Sequence, residues 1–192
     1  MSRNIFLTFL LVFTAVSLMS QPIDDIAKMQ NDKKYRDAYD KAEAALLDFN
    51  YEEALEIYLK WDSVYPNNAN LNFKIGYCYA NMSSDKPRAI PYLEKAASSV
   101  VREYVGDYIE SNAPVDLFML LGIVYHIDYK FNKAVENFDK FIKYAEFDDP
   151  ELVDSVKVLK EKSYTAIRII NNPLSIKIEN LGGNVNTNYP EY

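Results

Sequence analysis

Cysteine, histidine and glycine are scarce in this chain of 192 residues, and each scarcity narrows the possible functions. Cys78 is the one cysteine, so it has no partner for an internal disulfide, and we expect a buried structural thiol rather than a reactive one. His126 is the one histidine, which excludes a metal site built on two histidines. The five glycines include no GxGxxG or P-loop spacing. We therefore predict no enzymatic activity, no metal and no cofactor.

Positive charge is also in short supply. The chain has 28 acidic against 21 basic residues, a net charge of −7, and no basic cluster interrupts the acidic surface. Such a surface repels the phosphate backbone of nucleic acids. The composition therefore predicts a domain without a nucleic-acid partner.

Residues 1–20 differ from the remainder of the chain. Arg3 is followed by a run from Ile5 to Met19 that is almost entirely apolar. A run of about fifteen residues is short for a membrane span and typical of a signal-peptide core. We predict an exported protein with cleavage after Ser20. Cleavage after Ser17 and an uncleaved anchor are the alternatives.

A three-residue pattern recurs along the chain. A small residue is followed after four positions by an aromatic residue or leucine, and after three more by another apolar residue. The three occurrences are Ala54, Tyr58, Trp61; Ala89, Leu93, Ala96; and Ala134, Phe138, Phe141. Ahead of the second and third, Gly76 and Gly122 each have a tyrosine three residues further on. This order of residues is typical of tetratricopeptide (TPR) repeats and predicts an all-α, TPR-type α-solenoid with an interaction role.

Small side chains in this pattern have a physical reason. Two helices of one repeat approach closely only where side chains are small, so we expect Ala42, Gly76 and Gly122 to face the alanines of the second helices. Gly122 and Ala134 are twelve positions apart, as the repeat requires. Gly76 and Ala89 are thirteen apart, which predicts one inserted residue in that turn.

The predicted organisation follows from these positions. A lead-in segment covers residues 21–34 and the TPR domain covers 35–172, with Asn50 as the N-cap of one helix. The repeats are predicted at about 35–68, 69–99 and 115–148, with a capping helix at 150–171 that begins at an acidic residue and Pro150. Residues 100–112 exceed the repeat length and have helical spacing, which predicts an extension of the preceding helix or a short extra one.

A partner-binding groove is expected on the face lined by the first helix of each pair. The inward positions are mostly aromatic and apolar with scattered polar groups, which suits a protein or peptide ligand rather than a small-molecule substrate. For Phe73 and Tyr77 the alternative is a role in the core between repeats. The predicted groove residues are Tyr39, Glu43, Asn70, Phe73, Tyr77, Asn81, Asp116, Met119, Ile123 and His126.

Residues 173–192 follow another pattern. Pro173 ends the last helix, and Leu174, Ile176 and Ile178 then alternate with polar residues, as in a half-buried β-strand. A single strand has no partner in a helical chain, so we expect residues 173–192 to begin a truncated β domain.

The stretch Asn112–Ala134, with Leu-Gly-Ile-Val-Tyr-His and Tyr-Lys-Phe-Asn-Lys-Ala, resembles one repeat in a family of bacterial envelope proteins. Members have a signal sequence, a TPR domain, a β-propeller of PD40 (WD40-like) repeats and an OmpA-like peptidoglycan-binding domain. Residues 178–192 resemble the segment before the first propeller blade. Relatives are often lipoproteins, whereas this chain has Ser20 and Gln21 where the anchoring cysteine would stand.

The resemblance implies a periplasmic scaffold, associated with the outer membrane, that joins an envelope complex. Some relatives belong to type IX secretion machinery. Peptidoglycan would be bound only through domains that these residues do not include. Two alternatives are a rigid spacer that positions a propeller and a cell-wall-binding domain, and an accessory subunit of a separately encoded envelope enzyme.

Overall fold

The computed structural model describes residues 27–29, 31–145 and 149–175. Most of the described residues are helical, and one small sheet lies within a loop between two of the helices. The helices are α1 (Lys33–Leu47), α2 (Tyr51–Asp62), α3 (Ala69–Asn81), α4 (Ala89–Ala96), α5 (Asp116–Ile127), α6 (Phe131–Ala145) and α7 (Pro150–Asn171). The two strands are β1 (Val100–Val101) and β2 (Ala113–Pro114), which pair in parallel. A 3-10 turn, Lys86–Arg88, precedes α4.

The helices form successive pairs. α1 packs on α2, α3 on α4 and α5 on α6, while α7 packs mainly on α6 and also touches α5. Each helix thus meets near neighbours in sequence, as in a stack of repeats. The predicted three pairs and capping helix are confirmed.

The small residues of the pattern lie where the two helices of a pair approach most closely. Ala54, Ala89 and Ala134 are fully buried. Gly76 packs directly against the side chain of Leu93, and Gly122 packs in the same way against a phenylalanine of α6. The close approach is confirmed, but the nearest side chain is the large residue four positions after the alanine rather than the alanine itself.

Polar side chains cap the helices at their beginnings. Asn50 Oδ1 accepts the backbone N–H of Glu53, which confirms it as the N-cap of α2. Asn68 accepts the N–H of Leu71 at 2.7 Å in the same way. Asp149 caps α7, and Pro150 occupies its first turn as predicted. These side chains satisfy N–H groups that have no partner within the helix.

The lead-in segment contributes to the core and contacts the beginning of the second pair. Met29 is buried, and its sulfur lies 3.1 Å from Nδ2 of Asn68. The predicted signal peptide of residues 1–20 and the first part of the lead-in segment, residues 21–26, lie outside the described residues. Among the described helices, none combines the length and the apolarity that a membrane span requires.

The prediction of a helix in residues 100–112 is wrong. α4 ends at Ala96, and the chain runs through β1, an irregular loop and β2. Gly106 has a φ of 77°, in the left-handed region. Side chains from outside the loop bind its carbonyl groups, and the Glu110 carboxylate accepts the N–H groups of Ser111 and Asn112. These contacts replace the helical hydrogen bonds that the spacing suggested.

Only the beginning of the predicted strand near the end of the chain lies within the described residues. Residues 173–175 have no strand pairing, and Leu174 is exposed. Ile176 and Ile178, like the remainder of the expected β domain, lie outside the described residues.

Candidate partner-binding face

The ten predicted groove residues lie on α1, α3 and α5, and together we call them the inner face. Seven of the ten residues fall into two parts, and Glu43, Asp116 and His126 belong to neither. The front part consists of Tyr39, Asn70 and Phe73. The open part consists of Tyr77, Asn81, Met119 and Ile123. Residues 102–112, which we call the insert, contact all three residues of the front part.

The front part is closed to solvent. Tyr39, Asn70 and Phe73 are exposed to 1%, 0% and 8% respectively. The aromatic ring of Tyr104, from the insert, meets the Phe73 ring edge to face with centroids 6.2 Å apart. Residues that were predicted to meet a partner therefore meet a segment of their own chain.

Asn70 lies at the centre of the hydrogen bonds that hold the insert. Its Nδ2 donates to the Tyr39 hydroxyl at 2.9 Å and to the carbonyl of Asp107 at 3.2 Å. Its Oδ1 accepts from the Tyr104 hydroxyl at 2.5 Å. The Tyr39 hydroxyl in turn donates to the carbonyl of Gly106 at 3.0 Å. Both polar atoms of the buried amide therefore have partners, which a buried polar group requires.

Burial also sets the ionisation of these tyrosines. Desolvation, followed by the influence of the neighbouring Tyr104, raises the pKa of Tyr39 well above its ordinary value. Desolvation and the charge of Glu43 raise the pKa of Tyr104 in the same direction. Both hydroxyls therefore stay protonated and remain hydrogen-bond donors at neutral pH.

Glu43 is engaged within the stack rather than offered to a ligand. Its carboxylate accepts a hydrogen bond from the Tyr58 hydroxyl and lies 2.8 Å from Nζ of Lys74. Lys74 is buried, and its ammonium also lies 5.9 Å from the ring centroid of Tyr39. Burial, followed by the Glu43 charge, raises the pKa of Tyr58. The charge of Glu43 therefore neutralises a buried lysine.

The open part lies further along α3 and α5. Tyr77 is 36% exposed, and its ring packs 6.2 Å from that of Tyr51. Asn81 is exposed, and its Nδ2 donates to the carbonyl of Tyr77 at 2.8 Å. Met119 and Ile123 are half-buried against the core. This part of the face keeps apolar side chains within reach of solvent.

Asp116 and His126 are placed differently from the other predicted residues. Asp116 is exposed at the beginning of α5. His126 Nδ1 shares a hydrogen bond of 2.8 Å with Oγ of the buried Ser163, and its ring packs edge to face on Phe131 with centroids 5.0 Å apart. Ser163 also bonds the carbonyl of Leu159 at 3.2 Å. His126 therefore joins α5 to the capping helix, a role for which the sequence showed no partner.

An open cleft of about 490 Å³ lies beside His126, where the α5–α6 turn meets α7. Two of its large side chains, Tyr129 and Ile169, are exposed to 80% and 64%. The lining residues are His126, Ile127, Tyr129, Phe131, Lys162, Thr165, Ala166 and Ile169. The cleft is mostly apolar, and Lys162 is the charged residue of its lining.

The cysteine and the possible metal ligands form no shared site in the described part of the chain. Cys78 is buried, as predicted, and burial raises the pKa of its thiol to about 12. Across residues 27–29, 31–145 and 149–175, no cluster of three or more histidine, cysteine, aspartate or glutamate side chains is arranged to hold a metal ion.

Comparison with solved structures identifies the type of fold. No protein-family model matches the chain, and no curated protein matches it. Among solved structures, the chain is similar to the TPR domain of Sgt2 from Aspergillus fumigatus. The TM-score is 0.55 and the identity 17%, over 79% of this chain and 93% of that one. The chain has a TPR-type fold. At this identity the likeness shows the fold alone.

Sequence reasoning missed the residues of the insert that bind the TPR-type stack. Tyr104 and Gly106 supply the hydroxyl and one of the carbonyls that the front part binds. A signal was present, because a surplus segment with two tyrosines around a glycine is unusual for a helix extension. The spacing of Val101, Val105 and Tyr108 concealed it by mimicking a helix.

Proposed function

We propose that this protein is an exported TPR-type scaffold that docks a partner protein on the open part of its inner face. The observation that carries the proposal is the exposure of Tyr77 and Asn81 on α3, together with the half-buried Met119 and Ile123 on α5, a helix that contacts α3. These residues offer apolar contact area and amide hydrogen bonds on rigid helices. Such surfaces bind extended or helical peptides through a few anchoring side chains.

The cleft beside His126 supports an apolar anchor in the partner. Its volume of about 490 Å³ is sufficient for a large side chain, and Ile127 and Phe131 contribute to its walls. Lys162, which also lines the cleft, can pair with an acidic group of the partner. We therefore propose a partner segment with an apolar anchor and an adjacent carboxylate.

The proposed location is the periplasm, in association with the outer membrane. The apolar run from Ile5 to Met19 after Arg3 supports export. The resemblance to envelope proteins with TPR, propeller and peptidoglycan-binding domains supports a link between outer-membrane machinery, including that of type IX secretion, and other envelope components. Peptidoglycan itself would be bound by other domains.

A rigid spacer is the second candidate, and the closed front part favours it. Tyr39, Asn70 and Phe73 are buried beneath the insert, so part of the inner face serves to stiffen the stack. The hydrogen bond between His126 and Ser163 likewise holds the capping helix to α5. A spacer would tolerate charged residues on the open part.

Cross-linking and affinity capture from an envelope fraction would separate these two functions. The test variant combines Tyr77→Glu with Met119→Lys, and the control, Glu56→Lys, changes a charge on the exposed surface of α2. Docking on the open part predicts that proteins recovered with the wild type decrease at least tenfold with the test variant and are unchanged with the control. Circular dichroism first establishes that all three chains are folded. Equal recovery of partner proteins with the three chains would then refute the docking site and favour the spacer.

A further inference from the structure

The insert occupies the front part of the inner face in the manner of a bound peptide. We propose that the front part is a peptide-binding site for segments of the type Tyr-X-Gly, and that its resident ligand is the chain's own insert. This site is separate from the open part, so it does not depend on the proposed docking of a partner there.

The front part binds the insert mainly through backbone carbonyl groups of the insert. The Tyr39 hydroxyl donates to the carbonyl of Gly106, and the Asn70 amide donates to the carbonyl of Asp107. Hydrogen bonds to the main chain of a peptide provide affinity, whereas side-chain contacts provide specificity. Neither contact depends on the side chain of the bound residue.

One side chain of the insert is recognised specifically. The Tyr104 hydroxyl donates to Oδ1 of Asn70 at 2.5 Å, while its ring packs edge to face on Phe73. A phenylalanine at this position would keep the ring contact and leave Oδ1 of a fully buried amide without its partner. The site therefore selects tyrosine over phenylalanine.

The next two residues define the remainder of the ligand class. Val105 is 76% exposed, so the front part does not recognise its side chain. Gly106 has a φ of 77°, and a Cβ added there would lie 3.0 Å from Cε1 of Tyr104. Both the conformation and the space favour glycine. The ligand is thus a tyrosine, any residue, and a glycine.

The ends of the insert are held independently of the front part. Val100 pairs with Ala113 across the two short strands, and the Ala113 N–H donates to the carbonyl of Ser99 at 2.8 Å. The N–H of Ala69 donates to the carbonyl of Ser111 at 3.0 Å. Residues 104–108 can therefore leave the front part while the stack and the base of the loop remain folded.

Tethering makes the insert a strong competitor. A ligand joined to its site by a short loop has an effective concentration of about a millimolar or more. A free peptide of the same type therefore binds the intact chain much more weakly than a chain whose insert has been displaced. An outside Tyr-X-Gly segment must therefore bind tightly enough to displace the insert.

Fluorescence anisotropy with a labelled synthetic peptide of residues 101–109 tests the proposal. The binder is the full chain with Tyr104→Ala and Gly106→Val, which together remove the recognised hydroxyl and disfavour the bound conformation. We expect this opened chain to bind the peptide at least tenfold more tightly than the intact chain does. A peptide with phenylalanine in place of Tyr104 should bind about fivefold more weakly, and a scrambled peptide should not bind.

Equal binding by the opened and intact chains would overturn the proposal, as would equal binding of the scrambled peptide. A folded opened chain that binds no peptide would also overturn it. If the double substitution prevents folding, the single variant Tyr104→Phe serves instead, because it keeps the ring against Phe73. That variant should bind the free peptide about fivefold more tightly than the intact chain, and the absence of any gain would refute the resident-ligand interpretation.

Discussion

Gly76 lies so close to Leu93 that a Cβ added to the glycine would stand 2.5 Å from the leucine side chain. Gly122 and Phe138 have the same relationship, also at 2.5 Å. The two helices of a pair approach at these points because one side contributes no side chain. Each glycine is thus required by the packing of the pair and not by its own backbone conformation, which is helical.

Gly76→Ala and Gly122→Ala should therefore destabilise the protein. Alanine gains roughly 1 kcal/mol of helix propensity over glycine, whereas overpacking a core costs about 1–3 kcal/mol. We expect the free energy of unfolding, measured by urea denaturation, to fall by about 1 kcal/mol, and by more for Gly122→Ala because the ring of Phe138 is rigid.

A double-mutant cycle provides the control for the first of these substitutions. Leu93→Ala alone leaves a cavity, but in the Gly76→Ala background it also relieves the clash. The double variant should therefore lose less stability than the two single losses combined. Strict additivity, or a Gly76→Ala variant more stable than the wild type, would contradict the packing argument.

Two exposed aromatic residues occupy left-handed positions in corresponding turns. Phe49 and Tyr129 have φ values of 57° and 58° and are exposed to 76% and 80%. A residue with a Cβ is disfavoured there, so Phe49→Gly and Tyr129→Gly should each raise the free energy of unfolding by roughly 0.5–1 kcal/mol after the entropy of glycine in the unfolded chain is subtracted. Thermal unfolding monitored by circular dichroism measures the change.

Leu47→Gly is the matched control for these turns, because Leu47 is equally exposed but helical. That substitution should lower stability by about 1 kcal/mol. A loss of stability in all three variants would show that the aromatic rings contribute more through contacts than the backbone conformation costs.

Cys78 should react slowly with thiol reagents in the folded protein. Burial raises the pKa of its thiol from 9.0 to about 12, so the thiolate fraction near neutral pH falls by about a thousandfold. Labelling with a chromogenic disulfide should be slower by at least that factor than in urea. Its rate should rise tenfold for each pH unit through pH 9, without levelling there. A plateau near pH 9 would contradict the assignment of a buried thiol.

Glu94 should contribute a stability that depends on pH. A hydrogen bond from Tyr125, together with Lys133, lowers the pKa of this carboxyl below its usual 4.5. A carboxyl with a lowered folded-state pKa adds stability above its unfolded pKa and loses that contribution as the pH falls through the folded value. Glu94→Gln should therefore be less stable than the wild type at pH 7 and should approach it below about pH 4. A stability difference that stays constant between pH 7 and pH 3 would refute this linkage.

The repeat itself could be predicted because its information is local. Asn50 and Pro150 mark helix beginnings through hydrogen bonds and dihedral angles that involve their immediate neighbours. Ala54 and Ala134 mark close approaches within pairs that are adjacent in sequence. Residues a few positions apart therefore determine where these helices begin and how they pair.

The accessibility of the predicted groove could not be obtained in that way. Asn70 and Tyr104 are 34 positions apart, and their hydrogen bond exists only because the loop returns to the face of α3. Glu43 and Lys74, 31 positions apart, likewise pair across two repeats. Spacing alone reports which face of a helix a residue occupies and says nothing about what covers that face.

By itself, the sequence determined the helix pairs, the small residues between them and the capping helix, because periodicity and helix caps act within single elements and between neighbours. Only the tertiary structure decided that Tyr39, Asn70 and Phe73 are closed by the insert while Tyr77 and Met119 remain open. The reason is physical. Carbonyl groups of the insert, which a helix would have bonded internally, are bonded by side chains of α1 and α3 that lie 67 and 37 positions away along the chain.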